Sequence, residues 1–351
     1  MDWKANNVLV TGGASFIGSH LTDALVARGA QVHIIDNLSS GRLENIQQHL
    51  DHNRVKFIHD DLLNPGVVQR AVEGMDVVFH LAADHGGRGY LELHQAACAT
   101  NLALDGIVFN ACFKAGVEKV VYASSGCVYP NFLQTDPDEI IYLSEDKVGP
   151  PYDADNMYGW AKLMAEMTLQ SYYKDWNMKS VSCRYFTAYG PKEHENHAVV
   201  AMIARSFVDQ NPFVVWGDGE QIRNWTHVSD IVEGTLLAAE KIDDGTPINL
   251  GTMDRTSVID AVREVLRYTG KEYLRIELHR EMPTGPLNRV ADNSLGKKLL
   301  GWEPKVKFID GLRETIDWYY STKDRNRVIS VLDHLLTERS YTDRVTSGAA
   351  T

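Results

Sequence analysis

Positive charge is in short supply in this chain. Its 351 residues carry 35 lysines and arginines against 47 aspartates and glutamates, a formal net charge of −12. That balance argues against nucleic acid or an anionic membrane as the main partner. It leaves room for a small anionic ligand, which a few local arginines can hold. Cysteine is scarce as well. Cys98, Cys112, Cys127 and Cys183 show no Cys-x-x-Cys spacing, so no metal site is expected. Few and unclustered cysteines fit a reducing, cytoplasmic compartment. The sequence shows no signal-peptide pattern, no internal repeat, no low-complexity segment, and no apolar run that reads as long enough to span a bilayer. Its length suits one large α/β domain with a smaller lobe, or two domains.

The first half alternates strand and helix patterns. Asn7–Thr11 is a short apolar run. The stretch from Phe16 to Arg28 has helical apolar spacing and stops at Gly29, a C-terminal cap signal. Gln31–Asp36 and the segments 55–58 and 76–83 read as further strands. A short helix is expected near Val67–Val72, and a single long one from Tyr90 to Lys114, before a strand at 119–124. This alternation predicts a doubly wound parallel sheet covered on both faces, a Rossmann-type α/β fold.

The first strand meets the first helix at Thr11-Gly12-Gly13-Ala14-Ser15-Phe16-Ile17-Gly18. Glycines there let backbone approach a pyrophosphate, and the helix N-terminus offers free N–H groups to it. Asp36 ends the next strand, where an acid binds a ribose 2′-hydroxyl and disfavours a 2′-phosphate. The expected cofactor is therefore NAD rather than NADP. Further on, Tyr158 and Lys162 lie four apart in a helical pattern and so share a face. An ammonium beside a phenol stabilises the phenolate, which makes Tyr158 a candidate general base with a lowered pKa.

With these motifs in place, the chain resembles the extended short-chain dehydrogenase/reductase family, the nucleotide-sugar epimerases and dehydratases, over nearly its whole length to about Tyr320. The family pattern has three glycines in the turn; here they fall on Gly12, Ser15 and Gly18, so Ser15 is a departure. The resemblance implies that Phe16, Ile17, Asp36, Asn37, Ser39, Asp61 and Leu62 belong to the cofactor site, with Leu81-Ala82-Ala83 under the nicotinamide half. It implies hydride transfer at a sugar C4 with Ser125 (or its neighbour Ser124), Tyr158 and Lys162 acting together. The expected partner is a nucleotide-diphosphate sugar. The family also implies a homodimer built on the long helix from Tyr90 and the helix 156–173, with Ala96, Ala97, Ala99, Leu102, Leu104 and Ile107 supplying surplus apolar surface.

Finer features point within the family. Ser124-Ser125-Gly126-Cys127-Val128-Tyr129-Pro130 lacks the acidic pair typical of dehydratases and resembles the segment of GDP-mannose 3,5-epimerases. There the cysteine exchanges protons on carbons next to a C4 ketone, a task suited to a thiol. Such a reaction needs a second acid/base, placed by the family after a Tyr-Gly-Pro turn. Here that turn is Tyr189-Gly190-Pro191, and Lys192 and His194 are the candidates. The loop containing Gly87 and Arg88 resembles a substrate loop, with Arg88 a departure that can meet a sugar carboxylate or a phosphate. Gln221, Arg223 and Arg289 match the nucleotide-binding segments, Arg223 as a bidentate diphosphate clamp. Thr187 stands where the family has Asn. The expected division is an NAD-binding domain over 1–190, a mainly nucleotide-sugar-binding lobe over 191–337 and a polar tail over 338–351. The expected activity is epimerisation at C3 and/or C5 through a transient 4-ketone. The rivals are C4-epimerisation of a UDP-hexose or UDP-hexuronate, a net reductase and, outside catalysis, a dinucleotide-binding sensor or scaffold.

Overall fold

The computed structural model describes residues 1–338; all of the expected tail except its first residue lies outside the described residues. Six strands and one helix of the first half are β1 (Asn7–Thr11), α1 (Phe16–Ala27), β2 (Gln31–Asp36), β3 (Val55–His59), β4 (Val77–His80), β5 (Lys119–Ser125) and β6 (Lys179–Tyr185). With the edge strand Asp244–Leu250 they form one seven-stranded sheet. Its order is Asp244–Leu250, β6, β5, β4, β1, β2, β3, and every pairing is parallel. The order reverses at β1, the switch point at which ligands bind doubly wound sheets.

Alternation along each strand sends side chains to two cores. Val8 and Val10 pack under α1 and the helix Val228–Lys241, with Leu21, Leu25, Ile231 and Leu236. Leu9 points to the other face, where Val67–Val72, Asn101–Ala115 and Asn156–Trp176 cover Val78 and Val120. Parallel strands buried on both faces read as near-continuous apolar runs, which is why their positions were legible.

A second core holds the smaller lobe. Val200, Ile203, Phe213, Val265, Leu312 and Tyr319 are buried together. The chain beyond residue 190 is woven with the sheet. Val228–Lys241 and Asp244–Leu250 lie beyond that boundary yet return to the first core and the central sheet.

The expected single helix from Tyr90 to Lys114 is three: Arg88–Leu93, Gln95–Ala99 and Asn101–Ala115. His94 leaves the helical region at φ −120°, ψ 44°, and the Thr100 hydroxyl donates to the Ala97 carbonyl oxygen at 2.6 Å. A helical stretch here, Gln95–Ala115, is long and apolar enough to cross a bilayer, contrary to the sequence expectation. Its Leu104, Val108, Phe109 and Cys112 instead pack on the sheet. Leu104 is thus core rather than spare surface; Leu102 and Ile107 are exposed.

Candidate active site

One cleft of about 380 Å³ opens above the C-terminal ends of the strands and reaches into the smaller lobe. That volume falls within the range of small-molecule sites. Among its lining residues are Ser15, Phe16, Ile17, Leu81, Ala83, Gly87, Arg88, Ser125, Cys127, Tyr158, Lys162, Thr187, His194, Gln221, Arg223 and Arg289.

The cofactor end is shaped by the glycine turn. Gly12 has φ +70°, and a Cβ at Gly18 would overlap the Gly12 carbonyl oxygen; only glycine lets α1 sit this close to the turn. Ser15, the departure from the family pattern, turns its hydroxyl inward to donate to the Gly12 carbonyl at 2.6 Å. Asp36 braces the loop, its two carboxylate oxygens accepting from Ala14 N–H at 3.0 Å and Leu38 N–H at 2.8 Å. Asn37 donates to Asp61 at 2.9 Å and accepts from Ser39 N–H at 3.0 Å. Ala82 N–H donates to Thr11 Oγ1. Leu62 does not face the cleft: it is buried beside Leu9 and Ile35. A backbone cradle closed to side chains, open helix N–H groups and a carboxylate at the end of β2 together fit a dinucleotide.

At the reacting end, strand alternation separates the two serines. Ser124 is buried and hydrogen-bonded to Glu166, which also binds Arg184. Ser125 faces the cleft, where its hydroxyl accepts from Cys127 N–H at 3.1 Å and bonds to Tyr158. Lys162 donates to the Ala123 carbonyl oxygen at 2.7 Å, and its ammonium lies 5.7 Å from the centre of the Tyr158 ring. The expected lowering of the Tyr158 pKa is not found. Burial pushes the phenol well above its ordinary value and Cys127 adds to this, against the hydrogen bond from Ser125. Burial likewise lowers Lys162.

Three arginines converge on the other end of the cleft. Arg289 donates from Nη1 to Cys127 Sγ at 3.1 Å, from Nη2 to Asp155 at 3.0 Å and from Nε to Gln134 at 2.8 Å. Arg88 donates to both oxygens of Asp155 at 3.0 Å and also pairs with Glu92. Burial alone would raise the Asp155 carboxyl, but Arg289 and Arg88 hold it below the usual carboxylate range. Among the described residues Arg223 donates only to backbone carbonyls, Ile222 at 2.8 Å and Thr284 at 2.9 Å. Burial, then Arg289 and Arg88, bring its pKa down to about 9. A half-buried guanidinium crowded by two others, with no carboxylate in hydrogen-bonding contact among the described residues, suits an anion.

The two candidates for a second acid/base are placed differently. Lys192 turns out of the cleft to Asp23 at 2.9 Å and the Asn45 carbonyl at 3.2 Å. Its short loop leaves at φ +69°, which aims the side chain at α1. His194 does line the cleft, but Nε2 contacts the Ser40 carbonyl at 2.7 Å and Nδ1 lies 3.5 Å from Arg42. Burial, then Arg42, lowers its pKa to about 4.

Spacing arguments missed His85, His197 and Asp155. The His85 ring lies 6.1 Å from that of Tyr158 and 5.8 Å from that of His197. Their loops are pressed together: a Cβ at Gly87 would overlap the Asn196 carbonyl oxygen. Asp155 had one readable signal, an acid directly before a helical pattern. Its two arginine partners come from positions 88 and 289, too remote for any local pattern.

A family model described as the NAD dependent epimerase/dehydratase family matches residues 8–251. GDP-mannose 3,5-epimerase 1 of Oryza sativa subsp. japonica is 32% identical over 319 residues, covering 89% of this chain and 81% of that enzyme. A UDP-N-acetyl-alpha-D-glucosaminuronate decarboxylase of Bacillus cytotoxicus is 31% identical over 330 residues, 89% of this chain and 97% of that one. Among solved structures, UDP-glucuronic acid 4-epimerase of Bacillus cereus, in complex with UDP-glucuronic acid and NAD, superimposes with a TM-score of 0.81. It is 30% identical and covers 90% of this chain and all of that one.

Proposed function

We propose that this chain, which belongs to the NAD-dependent epimerase/dehydratase family, is a nucleotide-sugar epimerase that exchanges protons at C3 and/or C5 of a transient 4-keto sugar. The observation that carries this reading is Cys127, whose sulfur shares the cleft with Ser125, Tyr158 and Lys162 and accepts from Arg289 at 3.1 Å. NAD, when bound, supplies the acceptor and later the donor of the C4 hydride.

The chain's own residues do the rest. Arg223 holds the diphosphate and fixes the sugar over Tyr158, while Arg289 stays on Cys127, Asp155 and Gln134. Ser125 donates to the C4 oxygen. Tyr158 takes the C4-hydroxyl proton as the ketone forms and gives it back as the ketone is reduced. The buried phenol resists ionisation, so the Lys162 ammonium is what makes the phenolate tenable. A ketone at C4 acidifies the hydrogens on C3 and C5, and Cys127, its sulfur positioned by the bond from Arg289, can take one of them. The opposite face falls to His197, next to His85 and oriented by Glu193 at 3.7 Å; Lys192 is turned away.

Arg88 favours a second reading, a C4-epimerase acting on a hexuronate, because a guanidinium beside the sugar suits a carboxylate. Its engagement by Asp155 and Glu92 weighs against that role. Incubation with GDP-mannose and with UDP-glucuronate in deuterated water separates the two. Deuterium at C3 or C5 supports the leading reading; inversion at C4 without it supports the second.

A further inference from the structure

A chain of buried polar side chains runs behind the catalytic lysine to the glycine turn. Thr11, His80, Asp105, Tyr122 and Lys162 are each at most 2% exposed. Thr11 Oγ1 accepts from Leu81 N–H at 3.1 Å and Ala82 N–H at 3.0 Å. Its own hydrogen therefore goes to His80 Nδ1, 2.8 Å away, and this pattern assigns the ring proton to Nε2. Nε2 donates to one Asp105 oxygen at 3.0 Å, and the Tyr122 hydroxyl donates to the other at 2.7 Å. Two neutral donors thus hold a buried carboxylate, and no lysine or arginine nitrogen lies within 4 Å of it among the described residues.

A buried charge without a counter-charge is costly. The face of the Tyr122 ring shows where the counter-charge is. The Lys162 ammonium sits 4.5 Å from the centre of that ring and, among the described residues, has no carboxylate in contact either. The cation lies over the ring face and the carboxylate at its hydroxyl edge, so Tyr122 bridges the two charges. Lys162 faces few other charged or titratable groups. Glu166, on its own helix, is committed to Arg184 of β6 at 2.8 Å. Cys127 and Tyr158 stand on the cleft side, and His80 lies beyond Tyr122. Burial drives the Lys162 pKa down, and of the groups pushing it back up Asp105 is the largest, ahead of Glu166 and Cys127.

We propose that Asp105 is a positioning residue: the buried counter-ion that, across Tyr122, keeps Lys162 charged beneath the cleft and so sets the pH range in which Tyr158 works. This rests on the reading of Tyr158 and Lys162 as the reacting pair. It also ties the charge under the catalytic phenol to the strand end that carries the glycine turn, since Thr11 anchors the far end of the network.

The test is a direct titration of Lys162 by NMR in protein labelled with ¹³C at lysine Cε, the resonance being identified by its loss in Lys162→Met. Asp105→Asn should weaken the proton affinity of Lys162 about tenfold, a downward move of about one pH unit. Lys162 titrating at the wild-type pH in folded Asp105→Asn protein overturns the proposal. Tyr122→Phe keeps the carboxylate and removes one donor, so its effect should be smaller; an equal shift assigns the effect to geometry rather than charge and also overturns it. If Asp105→Asn fails to fold because its amide opposes the Tyr122 hydroxyl, the double variant Asp105→Asn/Tyr122→Phe removes that conflict and should show the same downward shift. Its absence there refutes the idea. The titration needs no substrate, so wild-type protein inert toward both nucleotide sugars sinks the proposed activity without touching this result. Where turnover is measurable, the alkaline limb of kcat should move down with Lys162.

Discussion

Replacing Arg289 with methionine should destabilise the protein in a pH-dependent way. The guanidinium is fully engaged, on Cys127, Asp155 and Gln134. Burial by itself would lower its pKa, but Cys127 and Asp155 push it up instead. Methionine fills a similar volume and leaves Asp155 with Arg88 alone. Breaking a buried ion pair commonly costs about 3–5 kcal/mol; with Arg88 retained, about 2–3 kcal/mol is expected. The sign with pH follows from Asp155. In the native protein its folded pKa lies below the unfolded one, so it contributes stability above the unfolded pKa that is lost as pH falls through the folded one. In Arg289→Met the strongest of the groups opposing burial is gone, and the folded pKa rises. The deficit should be largest at neutral pH and shrink in mild acid, where a protonated Asp155 needs no counter-ion. Thermal unfolding followed by circular dichroism at both pH values checks this. A variant as stable as wild type at neutral pH, or equally impaired at both, would refute the reasoning.

Three further outcomes are expected. Tyr158→Phe should retain nucleotide-sugar binding by calorimetry and lose nearly all kcat, since the phenol acts mainly in the transition state; a variant keeping most of its kcat removes Tyr158 from the mechanism. NAD should bind more tightly than NADP because Asp36 repels a 2′-phosphate, and equal affinities in competition calorimetry would contradict this. The exposed Leu102, Ile107, Phe113, Trp160, Met164 and Trp176 lie on the helices Asn101–Ala115 and Asn156–Trp176. A homodimer covering them should appear by light scattering and be weakened by Met164→Lys; a monomeric mass for the native chain at micromolar concentration speaks against it.

The parts of the site that were readable from sequence are those whose residues are close in the chain. Gly12 and Gly18 flank one turn, Asp36 ends the next strand, and Tyr158 and Lys162 are one helical turn apart. Spacing sets such geometry almost by itself. The direction of a side chain leaving a loop is not set that way. Lys192 and His194 follow the same turn, yet one reaches Asp23 and the other Ser40, because α1 and the β2 loop offer those partners. Leu62 follows Asp61 but points into the core. The return of Val228–Lys241 and Asp244–Leu250 to the first core depends on packing across the whole chain, which no local pattern records. The Tyr158 pKa failed for a related reason: a neighbouring ammonium is visible in sequence, whereas burial is not.

The central claim is that oxidation at C4 and proton exchange at carbon are separate steps, the second needing Cys127. The direct measurement follows NADH absorbance and solvent deuterium uptake together in Cys127→Ser with GDP-mannose and UDP-glucuronate. Serine keeps the size but cannot act as a base at working pH. Bound NAD should still be reduced while deuterium uptake at C3 and C5 falls by about 10²–10⁴. Exchange and epimerisation at nearly the wild-type rate would make Cys127 a wall residue and contradict the account.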